Sequence, residues 1–133
     1  MDSLVEQRGA RMAPIWLKIA VVYLLIGVIF GLIMGITEKF QYVPVHAHIN
    51  LLGWATLGLA GVIYQLFPRA GGHWLGMVHF WLHNIGLPIF VVGLFIVNSG
   101  HAAAIPVVAV GATIAVVGIL FFTVNLFLNL KKA

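Results

Sequence analysis

The chain contains six histidines in a largely apolar sequence, and two of them stand together before a long hydrophobic segment. His46 and His48 open the run His-Ala-His-Ile-Asn-Leu-Leu-Gly-Trp, whose apolar character continues to Phe67. Imidazole nitrogens are good ligands for iron, copper or zinc. A segment of this length can cross a bilayer, where polar side chains are expensive and usually have a partner. One histidine there can simply contact water or a backbone carbonyl, whereas this pair and the residues that follow favour a bound haem.

The spacing of the two histidines limits which residues could bind one iron. Side chains two positions apart on a helix point about 200° away from each other, so His46 and His48 of one chain cannot bind the same iron. Two arrangements remain open. Either a histidine of this helix pairs with His101 of the same chain, or His46 of one subunit pairs with His48 of a neighbour. In a ring around the membrane normal, His46 and His48 of neighbouring subunits differ by only about 3 Å in height.

His79 and His83 form a second group. Their i, i+4 spacing places both on one face of a predicted helix, where such a pair can bind a second metal ion or relay protons. The alternative is that the two rings hydrogen-bond to each other, with Asn84 or a carbonyl of another helix as a further partner. His83 and His48 differ by roughly 15 Å in height, so a haem shared between these two is disfavoured.

The composition excludes a soluble domain. Of 133 residues, 62% are hydrophobic and 8% are charged, whereas soluble domains carry about 25% charged residues. Four apolar stretches, at 15–36, 45–67, 74–97 and 102–130, each reach the ~20 residues that a spanning helix needs. Short loops join them and imply antiparallel neighbours. The sequence therefore predicts one domain, 1–133, of the all-α integral membrane class, built as an up-down bundle of four transmembrane helices.

The few charges predict the orientation of this bundle. The cations outside the loop at Lys39 are Arg8, Arg11, Lys18, Arg69, Lys131 and Lys132. The positive-inside rule places all of them in the cytoplasm, so we expect a multi-pass protein of the cytoplasmic (inner) membrane with both termini inside. The net charge of +4 comes mostly from the chain ends and indicates membrane topology, not nucleic-acid binding. The absence of cysteine excludes covalent haem attachment, so a haem would be non-covalent haem b.

A stripe of small residues lies on the first predicted helix. Gly27, Gly31 and Gly35 recur at four-residue spacing, which lets another helix approach closely. The stripe therefore predicts packing and not chemistry.

The run His-Ile-Asn-Leu-Leu that begins at His48, with Tyr64 and Pro68 downstream, resembles the second helix of haem-copper oxidase and nitric oxide reductase catalytic subunits. The resemblance implies that His48 binds a low-spin haem. The His-Ala-His run that begins at His46 also resembles a motif of a later helix, whose two histidines serve two different haems. Those subunits contain twelve helices in three arcs of four. The resemblance therefore implies a homotrimer of this chain that forms a twelve-helix assembly.

The chain also departs from that family. It lacks the His-Pro-Glu-Val-Tyr type of copper motif and the histidine pair that follows it, so enzymatic oxidase or reductase activity is not implied. An arginine pair for the haem propionates is missing too, and Lys39, Gln41 and Tyr42 are the nearest substitutes. We therefore expect a b-type haem protein that transfers electrons to an unidentified redox partner or senses a diatomic gas. The alternative is a haem-free oligomeric channel, transporter or assembly factor whose histidines handle protons or metal ions.

Overall fold

The structure, a computed structural model, describes residues 1–130, and every regular element within that range is helical. In chain order the elements are α1 (Asp2–Thr37), a 3-10 turn (Phe40–Tyr42), α2 (Val43–His48), a π-helix (Ile49–Thr56), α3 (Leu57–Leu66), α4 (Pro68–Gly72), α5 (Trp74–Asn98), a 3-10 turn (Ala102–Ala104) and α6 (Ile105–Asn129).

Four helical segments are long and apolar enough to span a membrane: Asp2–Thr37, Phe40–Leu66, Trp74–Asn98 and Ala102–Asn129. This confirms the prediction of an all-helical chain with four such segments. The second segment, called the second span below, runs from the first 3-10 turn through α2, the π-helix and α3 without a break. Lys131 and Lys132, two of the cations that predict the orientation, lie outside the described residues.

The first helix begins at Asp2, well before the apolar stretch predicted from residue 15, and it continues through Pro14. Its N-terminal part packs against α4. Glycines make this contact close, because a Cβ at Gly9 would overlap the backbone of Pro68 and a Cβ at Gly72 would overlap that of Val5. Hydropathy identifies only the apolar portion of a helix, so it could not detect this extension.

The helices form two hairpins, one of α1 with the second span and one of α5 with α6. Aromatic rings join the hairpins at both ends. At one end Tyr42 stacks on Phe95 with 4.8 Å between ring centroids. Towards the other end Trp16 lies 5.2 Å from Phe80 and 5.4 Å from Tyr64. Since α4 follows Tyr64 and packs on the start of α1, Arg69 marks this second end, called the Arg69 end below.

The glycine stripe of α1 makes room for polar side chains of the second span. A Cβ at Gly27 would lie 2.5 Å from Asn50 Oδ1, and one at Gly31 would lie 2.6 Å from His46 Cε1. A Cβ at Gly35 would meet nothing within 4 Å. Two of the three glycines therefore allow the close approach that the stripe predicts.

Candidate functional site

His48, the last residue of α2, has one ring nitrogen engaged and one available. Its Nδ1 lies 2.7 Å from the carbonyl oxygen of Pro44, one helical turn earlier. Because a carbonyl only accepts, Nδ1 carries the ring proton and donates it, and the lone pair of the neutral ring is then on Nε2. Metal-binding histidines almost always donate their second nitrogen to a carbonyl or carboxylate in this way. His48 is therefore oriented as a metal-binding histidine is.

The ring of His48 lines an apolar cleft of about 260 Å³ on the surface of the chain. The other lining residues come from the second span, α5 and α6, and they are Leu52, Phe90, Ala112, Ala115, Val116 and Ile119. Phe90 meets the imidazole edge to face, with 4.7 Å between centroids. His48 is the one polar side chain in the lining, and its Nε2 has no hydrogen-bond partner within residues 1–130. The cleft thus presents a single unpaired acceptor in an apolar setting.

His46 lies on the opposite side of the chain. Its half-buried ring packs against Gly31 of α1, whereas His48 packs against α5. Asn50 lies beside it, with Nδ2 3.4 Å from His46 Nδ1 and 2.8 Å from the His46 carbonyl oxygen. The two histidines therefore face different helices, as their two-residue spacing predicts.

His101 is exposed in the connection between α5 and α6. The part of α6 that lines the His48 cleft begins at Ala112, seven residues or about 10 Å of helix rise beyond the first residue of α6. The structure therefore does not bring His101 to the cleft. His73, outside both expected groups, serves as the N-cap of α5 and accepts a hydrogen bond from the Leu75 amide at 3.3 Å.

A fully buried polar network occupies the interior near the Arg69 end. Tyr64 Oη lies 2.9 Å from His79 Nδ1, and His79 Nε2 lies 3.2 Å from His83 Nδ1. His83 Nε2 lies 3.0 Å from the carbonyl oxygen of Leu52, which belongs to the π-helix. The tyrosine and both histidines have no exposed surface. The two rings therefore bond to each other and to a carbonyl of another helix, the alternative that the sequence left open.

The partners fix the direction of every hydrogen bond in this network. The Leu52 carbonyl only accepts, so His83 Nε2 donates to it and His83 Nδ1 is an acceptor. His79 Nε2 must then donate to His83, which leaves His79 Nδ1 to accept from the Tyr64 hydroxyl. In this arrangement the four ring nitrogens of the pair all have hydrogen-bond partners.

Two asparagines of α6 extend the network towards the Arg69 end. Asn125 Nδ2 donates to the Ala70 carbonyl at 2.9 Å and to Tyr64 Oη at 3.4 Å. Asn129 Nδ2 donates to Asn125 Oδ1 at 2.8 Å. Asn125 thus makes hydrogen bonds between helices. Sequence reasoning did not find the role of Tyr64, for which a hydroxyl within an apolar run was the available signal.

Within residues 1–130 no group of three or more histidine, cysteine, aspartate or glutamate residues could hold a metal ion. The pair His79 and His83 uses its nitrogens in the network, and Asn84 bonds instead to the Phe80 carbonyl at 2.8 Å. A second metal site at this pair would have to displace those bonds. The unpaired Nε2 of His48 is the nitrogen best disposed for a ligand.

Comparison of the chain with family models, with curated proteins and with solved structures finds no match. The fold defines an all-helical protein with four helices long and apolar enough to span a membrane.

Proposed function

We propose that the chain is a membrane-embedded b-type haem protein that transfers electrons, with His48 as one axial ligand. The observation that carries the proposal is the hydrogen bond from His48 Nδ1 to the Pro44 carbonyl at 2.7 Å. It leaves Nε2 as an unpaired lone pair in an apolar cleft. An unpaired acceptor in such surroundings is unfavourable unless a ligand binds to it. The four apolar helices support a location in a membrane.

The cleft is suited to cover one side of a haem but does not enclose a whole haem. Its volume of about 260 Å³ lies below the ~300–1,000 Å³ of typical ligand pockets, and it lies on the chain surface. Helices pack ~8–10 Å apart, which leaves little room for a haem between them, and the buried polar network occupies the region around His79 and His83. A haem at His48 would therefore be covered on its other side by another molecule.

A second copy of the chain can supply that cover and the second ligand. His46 lies against α1, on the side away from the His48 cleft, so a neighbour in a ring could present its His46 to this cleft. Such a contact is heterologous and repeats at every boundary of a closed ring. Three copies would give a homotrimer with twelve helices and one haem at each boundary. His101 is the less favoured second ligand, because it is exposed and far from the cleft.

Two histidine ligands determine the chemistry that we propose. A haem with two axial histidines carries electrons and has no open iron position for a substrate, which favours electron transfer over gas sensing or catalysis. The protein's part is to hold the imidazoles and exclude water through the apolar lining of the cleft. The cations Arg8, Arg11 and Arg69 lie towards one end of the bundle, so we propose that this end is cytoplasmic.

A visible spectrum of the purified protein tests the proposed function. We expect a Soret band, sharp α and β bands on reduction, and a pigment that acidified acetone extracts because no cysteine attaches it. A colourless protein from haem-replete cells would overturn the haem proposal. It would favour the haem-free alternative, for which the buried histidine pair is the supporting observation.

The environment of His46 gives a matched pair of variants. Gly31→Ala is expected to reduce haem retention by roughly tenfold, the size of effect seen when the surroundings of a metal ligand are disturbed. The reason is that the new Cβ would lie 2.6 Å from His46 Cε1 and displace the ring. Haem per protein, measured after dilution into detergent without haem, is the readout.

Gly35→Ala is the control for this variant. It makes the same change one turn further along α1, where a Cβ meets nothing within 4 Å, and it raises the intrinsic helix propensity by the same amount. We expect it to retain haem as the unchanged protein does. Equal retention in both variants would count against His46 as a ligand.

A further inference from the structure

The buried polar network joins four helical elements. Tyr64, His79, His83 and Asn125 have no exposed surface, although polar groups at membrane depth are expensive and by default indicate a function such as proton transfer. Their hydrogen bonds connect α3, α5, α6 and the π-helix in one continuous series. A continuous series of this kind can support chemistry that needs no bound cofactor.

Every hydrogen bond in the series points the same way, from the Arg69 end towards the middle of the bundle. Asn125 donates to Tyr64, Tyr64 to His79, His79 to His83, and His83 to the Leu52 carbonyl. The Tyr64 oxygen both accepts one hydrogen bond and donates the next. In each histidine one ring nitrogen accepts and the other ring nitrogen donates. This is the arrangement that allows a proton to be passed along a series of side chains.

We propose that Tyr64, His79 and His83 form a proton relay that takes a proton from the aqueous phase at the Arg69 end and stores it on His83. In the transfer the Tyr64 O–H bond breaks as a bond forms from its proton to His79 Nδ1. The His79 Nε2–H bond breaks as that proton binds His83 Nδ1. A proton from the aqueous phase then restores the Tyr64 hydroxyl, and because Tyr64 is fully buried behind Asn125 this step requires a transient opening of that contact. The net change is one proton taken up and one imidazolium formed, with no oxidant or reductant.

The surroundings stabilise each charged stage of this transfer. Asn125 donates to Tyr64 Oη and can stabilise the oxygen when its proton leaves. The Trp16 ring lies 4.6 Å from the His79 ring, within the ~6 Å at which an aromatic face attracts a cation. The stored proton makes both nitrogens of His83 donors, and both already have acceptors, the Leu52 carbonyl and His79 Nε2.

Within the described residues, the groups that face His79 and His83 include no charged side chain that would set the protonation of these two rings. They are Trp16 from α1, Tyr64 from α3, the Leu52 carbonyl from the π-helix, and Phe122 from α6, with Asn125 behind Tyr64. Apart from the two histidines themselves, Tyr64 is the only titratable group in these contacts within residues 1–130. Among residues 1–130 no lysine, arginine, aspartate or glutamate makes a hydrogen bond or ring contact with either histidine.

Infrared difference spectroscopy tests the relay without any need for haem. The full-length protein, with isotope-labelled histidine, is reconstituted into phosphatidylcholine vesicles, and spectra are recorded over time after a shift from mildly alkaline to mildly acidic buffer. A slow, labelled imidazolium signal from a buried histidine is expected, and His83→Gln should abolish it. Glutamine can still donate to the Leu52 carbonyl, so helix packing is preserved. His101→Gln, which removes an exposed histidine, is the control and should keep the slow signal.

The rate of that signal separates a relay from a structural network. Tyr64→Phe keeps the ring but removes the donor, so we expect the signal to appear on the order of a hundredfold more slowly, the lower end of what a positioned proton donor contributes. An unchanged rate in Tyr64→Phe, or no slow signal in the unchanged protein, would overturn the relay. Circular dichroism of each variant checks that the helices remain. A colourless protein would leave this proposal standing, since the signal does not depend on haem.

Discussion

Replacement of His48 by alanine is expected to remove most of the haem from the purified protein. Disturbing the groups that merely orient a metal ligand typically costs 10–100-fold in metal affinity, so loss of the ligand itself should leave roughly a tenth of the haem or less. The ring that donates to Pro44 at 2.7 Å is absent in this variant, and the cleft then contains no polar side chain. Haem per protein, from absorbance after acetone extraction, measures the loss.

Three further alanine variants show whether the effect is specific. His101→Ala should retain haem, because this residue is exposed and distant from the cleft. His46→Ala should lose haem or convert the iron to high spin, because one ligand of the pair remains. His83→Ala removes the hydrogen bond to the Leu52 carbonyl but no side chain that lines the cleft, so it should keep the low-spin spectrum. If His101→Ala removes the haem and His46→Ala does not, the ligands come from one chain and the interchain proposal is wrong.

The four apolar helices could be predicted because their cause is local. Length and apolarity alone decide whether a segment can span a bilayer, and both can be counted along the sequence. The positions of His46 and His48 on opposite sides of one helix were predictable for the same reason, since a two-residue step on a helix fixes the angle between them. The likeness to haem-copper oxidases, by contrast, stays a prediction.

Features that depend on contacts between distant residues could not be predicted in this way. The helical start of α1 packs against α4 at Gly9 and Gly72, where the absence of side chains lets two backbones meet. The hydrogen bond from His83 to Leu52 joins residues 31 positions apart, and it uses a carbonyl of a π-helix that no propensity indicated. Tyr64 sits in an ordinary apolar run, and only the folded arrangement of the helices brings its hydroxyl within 2.9 Å of His79 Nδ1 on α5.

Two defective subunits should rebuild one haem site if its two ligands come from different chains. Co-expression of His46→Ala with His48→Ala chains is expected to restore low-spin haem that neither variant binds alone. At a boundary where a His48→Ala chain supplies His46 and a His46→Ala chain supplies His48, both ligands are still present. With equal amounts and random mixing, the chain that must supply His46 retains it at half of the boundaries. The chain that must supply His48 likewise retains it at half of them. About a quarter of the boundaries in closed rings should therefore have both ligands.

Native mass spectrometry then counts chains and haems in the same sample. A closed ring of three copies should carry up to three haems when both histidines are present, and fewer in the mixed sample. An intrachain site made by His101 and one histidine of the pair gives no such complementation, because the variant chain that keeps this histidine would bind low-spin haem by itself and the other variant would not gain it on mixing. Absence of restored low-spin haem, or a single chain that carries haem by itself, would therefore contradict the interchain site. His48 could still be a ligand in that case, and the second ligand would have to come from its own chain.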